Sequence, residues 1–510
     1  MRTTALLLLL SLGTFAQSKT AAKRPNIVFI FSDDHAYQAI SAYGNKLVQT
    51  PNIDRIAQGG VLFRNALVTN SICGPSRATL ITGKYSHMNG YKANEGKFDV
   101  TQMLFPRVLQ QHDYQTAWIG KWHLGSLPEG FDYWRILPGQ GFYYNPNFIE
   151  KGKDTARVGG YVTDLITDFS VDWIKNRDSS KPFFLVVAHK ATHREWQPDT
   201  QDLGAYDHIN FPLPSNFYDD YKDRIAAKNQ DMTIDKTMRM VEDLKVHVDW
   251  QRKTGLFSRM TPAQQAPFQA YYEGVTKDFD EKKPTGKALA EWKFQRYMKD
   301  YLATARSLDR NIGRLLDYID ASGLAENTVV IYASDQGFYM GEHGWFDKRF
   351  IYDESMRTAF MMRYPGVIKP GTQSDALMAN IDWAPTMLDI AGVKAPADIQ
   401  GRSFLPLVKT GSKNPAWRDA VYYHYYEYPE PHHVYPHFGL RSKQYTLVHF
   451  YGETDSWELY DLKKDPTQQH NVYKDAKYQQ VIGGLKKQLK GLIEEYKDEE
   501  AMKVFNSSRS

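Results

Sequence analysis

The sequence Asn26-Ile27-Val28-Phe29-Ile30-Phe31-Ser32-Asp33-Asp34 contains an apolar run that ends in a hydroxyl group and two carboxylates. Three further apolar runs, at 116–119, 183–187 and 329–333, also stop at polar side chains. Continuous apolar runs separated by helical stretches are typical of buried strands in a mostly parallel sheet. In such sheets, ligands bind beyond the carboxyl ends of the strands. The pattern therefore predicts an α/β domain with a ligand site at one sheet edge.

Chemically capable side chains follow each of the four runs. Because parallel strands end at a common edge, we expect these side chains to lie close together. A single acid pair is most often a solvated loop or a helix cap, but two pairs at strand ends favour a site. The four clusters are Ser32-Asp33-Asp34, Gly120-Lys121-Trp122-His123, His189 with His193, and Ser334-Asp335-Gln336.

The rest of this domain is predicted to be helical. Apolar residues at three- and four-residue steps over 294–319 predict a core-facing helix that stops near Gly323. The polar stretch 199–287 indicates a helical insertion over the sheet edge. Together with the strands, these segments predict a large, mostly parallel sheet flanked by helices in residues 24–395.

The pattern changes after about residue 396. Short strand-like pieces at 421–426, 438–440 and 445–451 precede a helical tail at 479–496. We therefore predict a smaller C-terminal subdomain, residues 396–510, with an antiparallel sheet and a closing helix.

Composition excludes some classes of partner. The chain has 510 residues and a net charge of only +4, from 63 basic and 59 acidic residues spread along it. No basic block indicates nucleic-acid binding, so no nucleic-acid partner is expected. A small anionic ligand remains compatible with this charge.

The first residues are typical of an export signal. Arg2 precedes an apolar run, and small residues follow by Ala16, so residues 1–16 are predicted to be a signal peptide. The run is shorter than the roughly 20 residues that cross a bilayer, and no later segment is more apolar, so no membrane span is expected. The protein is expected to be exported, either periplasmic or secreted. With one cysteine it forms no internal disulfide.

That cysteine, Cys73, lies in the segment Cys73-Gly74-Pro75-Ser76-Arg77-Ala78-Thr79-Leu80-Ile81-Thr82-Gly83. A lone cysteine is most often a small buried hydrophobe. Here Pro75 is placed to open a helix and Gly83 to end it, so Cys73 would lie at a helix N-terminus, which stabilises negative charge. Arg77, one turn further, is placed to neutralise a substrate oxygen anion.

This segment resembles the signature of the type I sulfatases, a family of the alkaline phosphatase superfamily. Cys73, Pro75, Ser76 and Arg77 match its core, and Thr82-Gly83 match its end. The resemblance implies an alkaline-phosphatase-like fold and oxidation of Cys73 to formylglycine by a sulfatase-maturing enzyme. A second stretch, from Gly337 through Asp347-Lys348-Arg349 to Ser355-Met356-Arg357, resembles exported bacterial glycan sulfatases, most closely those of N-acetylglucosamine-6-sulfatase type.

The resemblance extends to the acids at the strand ends. Asp33 and Asp34 match the family's early metal-binding pair, and Asp335 and Gln336 match its late pair, with the modified Cys73 also at the metal. Three carboxylates and an amide oxygen suit Ca²⁺ and do not suit zinc. Many family members have Asn where this chain has Gln336.

Basic residues match the sulfate-binding set of the family. Gly120-Lys121-Trp122-His123-Leu124-Gly125 resembles a family segment, and residues two apart in an extended stretch point the same way, so Lys121 and His123 can face one sulfate. Lys348 matches the family's second sulfate-binding lysine. A surface lysine and a structural histidine are the alternative interpretations of such residues.

The acid that protonates the leaving group has two candidates. His193 follows the third run where relatives read Ala-Pro-His, although Thr192 replaces the proline. His189 could instead face the substrate. Asp347 and Arg349 flank Lys348, and the resemblance implies that they bind sugar hydroxyls; a surface ion pair is the alternative.

A ring-rich segment follows in the smaller subdomain. It runs Tyr422-Tyr423-His424-Tyr425-Tyr426, with His432, His433 and His437 beyond it. Such a surface could close over a sugar, but packing inside the subdomain explains alternate tyrosines equally well.

The resemblance implies hydrolysis of sulfate esters on carbohydrate, with 6-O-sulfated N-acetylglucosamine of a host glycan or glycosaminoglycan as the expected substrate. One alternative is a phosphodiesterase or phosphonate monoester hydrolase of the same superfamily, which shares the metal site. Another is an exported carbohydrate-binding protein with an inactive site, if Cys73 is never oxidised. The complete set of cations, acids and histidines argues for an enzyme.

Overall fold

The computed structural model describes residues 24–46, 48–410 and 417–508. The predicted signal peptide, residues 1–16, lies outside the described residues. Among those that are described, no helix combines the length and apolar character needed to cross a bilayer.

The strands form one large sheet, a two-stranded pair and a four-stranded sheet. They are β1 Asn26–Ser32, β2 Val61–Phe63, β3 Ala66–Leu67, β4 Gln115–Lys121, β5 Tyr133–Leu137, β6 Asn147–Glu150, β7 Ala156–Arg157, β8 Phe183–Ala188, β9 Thr328–Ser334, β10 Phe360–Arg363, β11 Thr372–Ser374, β12 Met378–Ala379, β13 Ala420–Tyr425, β14 His437–Ser442, β15 Tyr445–Phe450 and β16 Ser456–Asp461.

Helices cover the large sheet and close the small one. They are α1 Pro51–Gln58, α2 Cys73–Thr82, α3 Ser86–Asn89, α4 Phe105–Gln110, α5 Val162–Asn176, α6 Ile225–Asn229, α7 Pro262–Lys282, α8 Gly286–Ala321, α9 Asp353–Met356, α10 Trp383–Ile390, α11 Leu405–Thr410, α12 Gln479–Tyr496 and α13 Glu499–Ser507.

The large sheet has a parallel centre, as the four apolar runs predict. Its strand order is β11-β2-β10-β9-β1-β8-β4-β5-β6-β7, and the five strands from β9 to β5 are parallel to one another. Antiparallel strands occur towards the margins, where β10 pairs with β9 and β6 with β5. The fold class is therefore confirmed, with a mixed sheet whose core is parallel.

The register of the central strands brings the polar clusters together. Phe31 of β1 pairs with Ala188 of β8, and Ser32 pairs with Ser334 of β9. Ala188 in turn pairs with Gly120 of β4. Residues immediately after these pairs, from all four strands, therefore lie side by side at the carboxyl edge.

Alternate residues of β1 contribute to two separate cores, so the run has to be apolar throughout. Phe29 packs with residues of α2, α4 and α10 on one face. Ile30 packs with residues of α1, α5 and α8 on the other. Full burial of one such side chain contributes about 1.5–3 kcal/mol.

The predicted helix at 294–319 lies within α8, Gly286–Ala321, and Gly323 follows its end with a positive φ of 72°. The prediction of a helical insertion over 199–287 is largely wrong. Between residues 203 and 261 the described chain is mostly turns and loops, with α6 as its one α-helix. Buried ion pairs hold this segment instead of a repeating apolar face, including Lys245 with Asp300 at 3.1 Å.

The C-terminal sheet is antiparallel in the order β13-β14-β15-β16, and α12 packs against its first three strands. Its core also includes Leu67, Tyr339 and Trp345 of the larger domain. The predicted antiparallel sheet with a closing helix is therefore confirmed. The boundary near residue 396 stays a prediction.

Candidate active site

Three buried carboxylates converge at the carboxyl edge of the sheet. Ligand atoms of Asp33 and Asp34, after β1, and of Asp335, after β9, lie within 4.8 Å of one another. The backbone N–H of Asp34 donates to Oδ1 of Asp335 at 3.1 Å, which fixes the two loops together. Three carboxylates this close repel one another unless cations separate them.

Gln336 completes this group with its amide oxygen. Its Nε2 donates to Oδ1 of Asp34, while its Oε1 is buried without a hydrogen-bond partner. Oδ1 of Asp33 is likewise buried without a hydrogen-bond partner, and it lies 3.7 Å from Nη2 of Arg77. Buried polar atoms are normally satisfied, so two free oxygens beside three carboxylates fit a hard cation such as Ca²⁺.

Burial and mutual repulsion set the pKa values of the three acids. Burial, followed by the charge of Asp33, raises the pKa of Asp335 well above its ordinary value. Burial also raises the pKa of Asp34, to about 6, although Lys348 opposes it. At Asp33 burial acts in the same direction, but Lys121 and other cations outweigh it and hold the pKa well below the ordinary value.

Cys73 is the first residue of α2 and is fully buried beside this acid group. Its Sγ, an oxygen of Asp33 and a ring nitrogen of His193 lie within 4.8 Å of one another. Burial raises the pKa of the Cys73 thiol well above its ordinary value, despite the nearby Lys348. The helix ends at Gly83, which has a positive φ of 66°, as predicted, but it begins at Cys73, two residues before Pro75.

The residue after Cys73 has to be glycine. A Cβ atom on Gly74 would lie 2.7 Å from the ring of Tyr91 and 2.8 Å from Oδ1 of Asn94. The same Oδ1 accepts a hydrogen bond from the Gly74 N–H at 2.9 Å. Asn94 therefore holds the turn that presents Cys73, and no local sequence pattern indicated it.

Three cations surround the acids, as the sequence predicts. Arg77 donates to Oδ2 of Asp335 at 3.0 Å and to the backbone oxygen of Lys121 at 2.9 Å. Lys121 pairs with Asp33, and its Nζ also donates to Oε1 of Gln140 at 2.5 Å. All three of the cations, including Lys348, are buried.

Lys348 reaches the same group from the loop that follows β9. Its Nζ lies 2.7 Å from Oδ1 of Asp34. Burial acts to lower the pKa of Lys348, but Asp34 outweighs it, and the pKa is well above its ordinary value. The alternative of an exposed loop lysine does not apply, because the side chain is buried.

The two histidine candidates after β8 differ in position. His193 has its Nε2 3.9 Å from Oδ2 of Asp34 and lines a cavity of about 370 Å³. His189 is buried, and neither ring nitrogen has a described hydrogen-bond partner. Burial lowers the pKa of His189 to about 3 and that of His193 well below its ordinary value.

His123 faces the site from the end of β4. Its Nδ1 is buried without a hydrogen-bond partner, and burial, followed by Lys121, lowers its pKa well below the ordinary value. It also lines a second cavity of about 640 Å³, with Tyr91 and Trp122. Two cavities therefore adjoin the group of buried acids and cations, one lined by His123 and the other by His193.

Thr192, which replaces the proline of relatives, ties the histidine loop to the acids. Its backbone N–H donates to the Asp33 carbonyl oxygen at 2.6 Å, and its Oγ1 donates to that of Asp34 at 2.9 Å. A proline has neither donor. The hydroxyl of Tyr301 also donates to the Asp34 carbonyl oxygen, at 2.7 Å.

Asp347 and Arg349 are not a surface ion pair. They are only 6% and 4% exposed, and Nε of Arg349 lies 3.4 Å from Oδ1 of Asp347. The smaller domain supports both side chains: Arg349 pairs with Glu427, and Nε2 of His432 lies 3.4 Å from Oδ2 of Asp347. The smaller domain thus forms part of the wall beside Lys348.

The ring-rich segment is mostly core, so its packing interpretation holds. Tyr422, Tyr423 and His424 are buried in β13. Tyr425 also contacts the site, because its hydroxyl accepts from Nη1 of Arg349 at 3.2 Å.

Several site residues have backbone conformations that are unusual for residues other than glycine. The φ values are 59° at Asp34, 56° at His123, 77° at Asp347 and 99° at Arg349. Such strained residues cluster at functional sites, where the surrounding structure holds them in place.

Comparisons with known proteins decide the family. Residues 25–393 match the family model described as Sulfatase. The chain belongs to the sulfatase family. Residues 341–495 of this sulfatase also match the model described as N-sulphoglucosamine sulphohydrolase, C-terminal. The family predicted from the Cys73 segment is therefore confirmed.

Relatives and solved structures extend this result. The sulfatase is 46% identical to an N-acetylglucosamine-6-O-sulfatase of Bacteroides thetaiotaomicron, over 96% of this chain and 90% of the relative. It is 29% identical to the N-acetylglucosamine-6-sulfatase of Capra hircus, over 81% of this chain and 68% of the relative. A solved complex of a protein with its substrate D-glucosamine-2-N,6-O-disulfate superposes with a TM-score of 0.92 at 46% identity, covering 94% and 99% of the two chains.

A member of the alternative enzyme class has a similar fold, with lower sequence identity and a lower TM-score. A phosphonate monoester hydrolase of Agrobacterium radiobacter superposes with a TM-score of 0.68 at 20% identity, covering 93% of this chain and 96% of that one. This likeness shows the alkaline-phosphatase-like fold alone.

Proposed function

We propose that this sulfatase removes the 6-O-sulfate from N-acetylglucosamine or glucosamine units of host glycans or glycosaminoglycans, using a formylglycine made from Cys73 and a bound Ca²⁺. One observation carries the proposal: Cys73 begins a buried helix at a point where three carboxylates, three cations and two histidines converge. The relatives named for activity on this sugar support the choice of substrate.

Asp33, Asp34, Asp335 and Gln336 would hold the metal. Their oxygens are buried, and two of them lack any hydrogen-bond partner. Bound there, Ca²⁺ supplies positive charge that favours an anionic oxygen nucleophile and offsets the crowded carboxylates.

Cys73 supplies the nucleophile after oxidation. Hydrated formylglycine would offer one hydroxyl oxygen that attacks sulfur as the bond from sulfur to the sugar oxygen breaks. Its second hydroxyl, which an unmodified cysteine or serine lacks, would lose its proton as the carbon–oxygen bond to the sulfate breaks and the aldehyde forms again. Asp335 would take the first proton; its position beside Asp33, whose carboxylate is within 4.8 Å of Cys73, supports this role. His123 is placed to take the second at its unpartnered Nδ1.

Arg77, Lys121 and Lys348 bind the sulfate group. Each is buried and already close to a carboxylate, so the side chains are held in place before substrate arrives. Charge that develops on the sulfate oxygens is then stabilised without reorganisation of the site.

As the imidazolium, which the negative charge of the sulfate ester favours against the effect of burial, His193 donates a proton from Nε2 to the departing sugar oxygen. Its Nδ1 is 2.5 Å from the backbone oxygen of Arg194, and the Tyr143 hydroxyl donates to the backbone oxygen of His193 at 2.6 Å. These contacts orient the ring towards Asp34 and the adjoining cavity. A sugar alkoxide is a poor leaving group, so protonation of the leaving oxygen should increase the rate of hydrolysis strongly.

Asp347 and Arg349 bind hydroxyl groups of the sugar. Each is already held by a partner in the smaller domain, His432 and Glu427, so the pair is oriented before the sugar binds. Carboxylate and guanidinium groups accept and donate hydrogen bonds respectively, which suits neighbouring hydroxyls.

Two further points belong to the same proposal. Residues 1–16 direct export to the periplasm or beyond, and a sulfatase-maturing enzyme modifies Cys73. The sulfated carbohydrate is the substrate partner.

A panel of monosaccharides sulfated at the 2, 3, 4 or 6 position tests the substrate, with desulfated product as the readout. We expect preference for 6-sulfated N-acetylglucosamine, lost in Arg349→Ala while an aryl sulfate is still cleaved. Arg402→Ala, which removes an exposed arginine, is the control. Preference for a 2-sulfated uronic acid, or for an aryl phosphodiester over an aryl sulfate, would contradict the proposal.

A further inference from the structure

Lys190 is a buried lysine beside the catalytic group that the reaction described above does not use. It follows His189 at the carboxyl end of β8 and is only 4% exposed. Its Nζ lies 4.9 Å above the ring centroid of Tyr143. Burial lowers the pKa of Lys190 to about 8, and the nearby Lys121 adds to this shift.

The ammonium group of Lys190 has no anionic partner among residues 24–46, 48–410 and 417–508. No carboxylate or carbonyl oxygen of these residues forms an ion pair or hydrogen bond with its Nζ. Buried lysines elsewhere in the fold are paired: Lys245 contacts Asp300, and Lys293 donates to the backbone oxygens of Asp235 and Met238. A buried ammonium without a partner carries a large desolvation penalty.

Lys190 lines the cavity of about 370 Å³ that His193 also lines. The other charged residues that line this cavity form ion pairs. Arg194 pairs with Asp243 at 2.7 Å, and Glu195 pairs with Arg239 at 3.1 Å. Among the described residues that line the cavity, Lys190 is therefore the one cation without a direct ion-pair or hydrogen-bond partner, and Asp33, Glu195 and Asp34 act on its charge only from a greater distance.

The cavity adjoins the sulfate-binding cations. Gln140 lines the cavity and accepts a hydrogen bond from Nζ of Lys121 at 2.5 Å. The side chain of Gln140 alone therefore separates the cavity from Lys121. His193, the proposed proton donor, stands at the same boundary. A sugar whose leaving oxygen meets His193 would extend part of its ring or its neighbour into this cavity.

We infer that Lys190 binds a second anionic group of the glycan, either an N-sulfate on the sugar that carries the 6-sulfate or a carboxylate on an adjacent uronic acid. The inference rests on the proposed function, because it assumes that a 6-sulfated glucosamine occupies the site. An anion is the complement that the unpaired ammonium lacks. The similar protein solved with D-glucosamine-2-N,6-O-disulfate has a substrate that carries such a group.

The test compares kcat/KM for four 6-sulfated substrates. Two are monosaccharides, glucosamine-2-N,6-O-disulfate and N-acetylglucosamine-6-sulfate. Two are disaccharides, in which 6-sulfated N-acetylglucosamine is linked to glucuronic acid or to galactose. The first of each pair has the second anion, so one ratio reports the N-sulfate and the other the carboxylate. A charge-assisted hydrogen bond predicts that at least one ratio is about tenfold or more.

Lys190→Met should bring that ratio to about one, and Lys190→Arg should retain most of it. Lys394→Met, at an exposed lysine, is the matched control and should leave the ratio unchanged. As a measurement on the unaltered enzyme, glucosamine-2-N-sulfate should inhibit more strongly than N-acetylglucosamine if the N-sulfate is the group recognised.

Ratios near one in the unaltered enzyme, or a ratio that survives in Lys190→Met, would overturn the inference while leaving the proposed function intact. An equal loss on every substrate in Lys190→Met would show a merely structural role and would also overturn it. Failure to cleave any 6-sulfated sugar, with aryl sulfate still cleaved, would overturn the proposed function and this inference with it.

Discussion

Nζ of Lys348 lies 2.7 Å from Oδ1 and 2.8 Å from Oδ2 of Asp34. Lys121 pairs in the same way with the preceding residue, Asp33. The two lysines proposed to bind sulfate thus each contact an acid proposed to bind the metal, Lys121 from the last residue of β4 and Lys348 from the loop that follows β9. The residues proposed to bind sulfate and those proposed to bind the metal therefore form one network of ion pairs at the carboxyl edge of the sheet.

Lys348→Ala should lower kcat/KM for 6-sulfated N-acetylglucosamine by about 10²–10³, the usual cost of removing one preorganised charge-stabilising group. Lys348→Arg should recover part of the loss, since it restores the positive charge. Steady-state kinetics, with the melting temperature as a folding control, make the measurement. A change below about threefold in a folded variant would exclude Lys348 from sulfate binding.

Removal of calcium should abolish activity and lower the melting temperature. The three carboxylates lie within 4.8 Å of one another, and two oxygens of the group lack partners, so a divalent cation stabilises the folded state. A ligand present at a hundred times its Kd raises the free energy of unfolding by about 2.7 kcal/mol. Differential scanning fluorimetry with chelator, then with added calcium, reports this shift independently of activity.

Asp335→Asn should reduce the calcium-dependent shift in melting temperature, and Gln336→Ala should reduce it less, because an amide ligand carries no charge. Asp398→Asn, at a surface acid paired with Lys84, is the control and should retain the full shift. An unchanged shift in Asp335→Asn, or active enzyme that contains zinc in place of calcium, would refute the ligand assignment.

His193→Ala should impair hydrolysis of a sugar sulfate far more than that of an aryl sulfate with an acidic phenol. The general acid matters when the leaving oxygen needs a proton, and an acidic phenolate does not. A ratio of losses of about tenfold or more is expected, and His189→Ala should lack it. Equal losses on both substrates would remove His193 from this role.

Much of the site was predictable because its acids and Lys121 adjoin strand ends and Cys73 opens a helix. Asp33 and Asp335 follow apolar runs whose pairing fixes where they lie. Asn94 and Glu427 could not be predicted in this way. They meet only because the smaller domain packs on the larger one, where Oε1 of Glu427 accepts from the Asn94 N–H at 3.1 Å.

The insertion at 199–287 shows a second limit. Its polar composition suited exposed helices, but the chain forms turns that bury charged pairs against neighbouring segments. Arg194 with Asp243 is one such pair, at 2.7 Å. Partners so distant in sequence leave no periodic signal, so local pattern reasoning cannot find them.

Glu458 should make the fold less stable as pH rises. Burial raises its pKa from an ordinary value near 4.5 to about 7, although hydrogen bonds from Tyr460 and Tyr352 oppose this. Between pH 4.5 and pH 7 the folded state binds this proton more tightly than the unfolded state does. The free energy of unfolding therefore falls as pH rises through this range, by up to about 3 kcal/mol in total above pH 7.

Glu458→Gln removes that titration, so its melting temperature relative to the unaltered enzyme should rise by a few degrees between pH 5 and pH 8. Glu453→Gln, at an exposed glutamate, is the control and should show no such trend. A difference that is flat with pH, or that falls, would show that Glu458 stays ionised in the folded state.

The most direct test of the account is the fraction of Cys73 converted to formylglycine, measured by peptide mass, against kcat in the same preparations. Expression with and without a sulfatase-maturing enzyme varies that fraction. Cys73→Ala contains no formylglycine and gives the background rate, and it should retain the fold and the calcium-dependent shift in melting temperature. The account predicts that kcat on 6-sulfated N-acetylglucosamine is proportional to the formylglycine fraction and vanishes in Cys73→Ala. Full activity in a preparation whose Cys73 is entirely the unmodified thiol would contradict it.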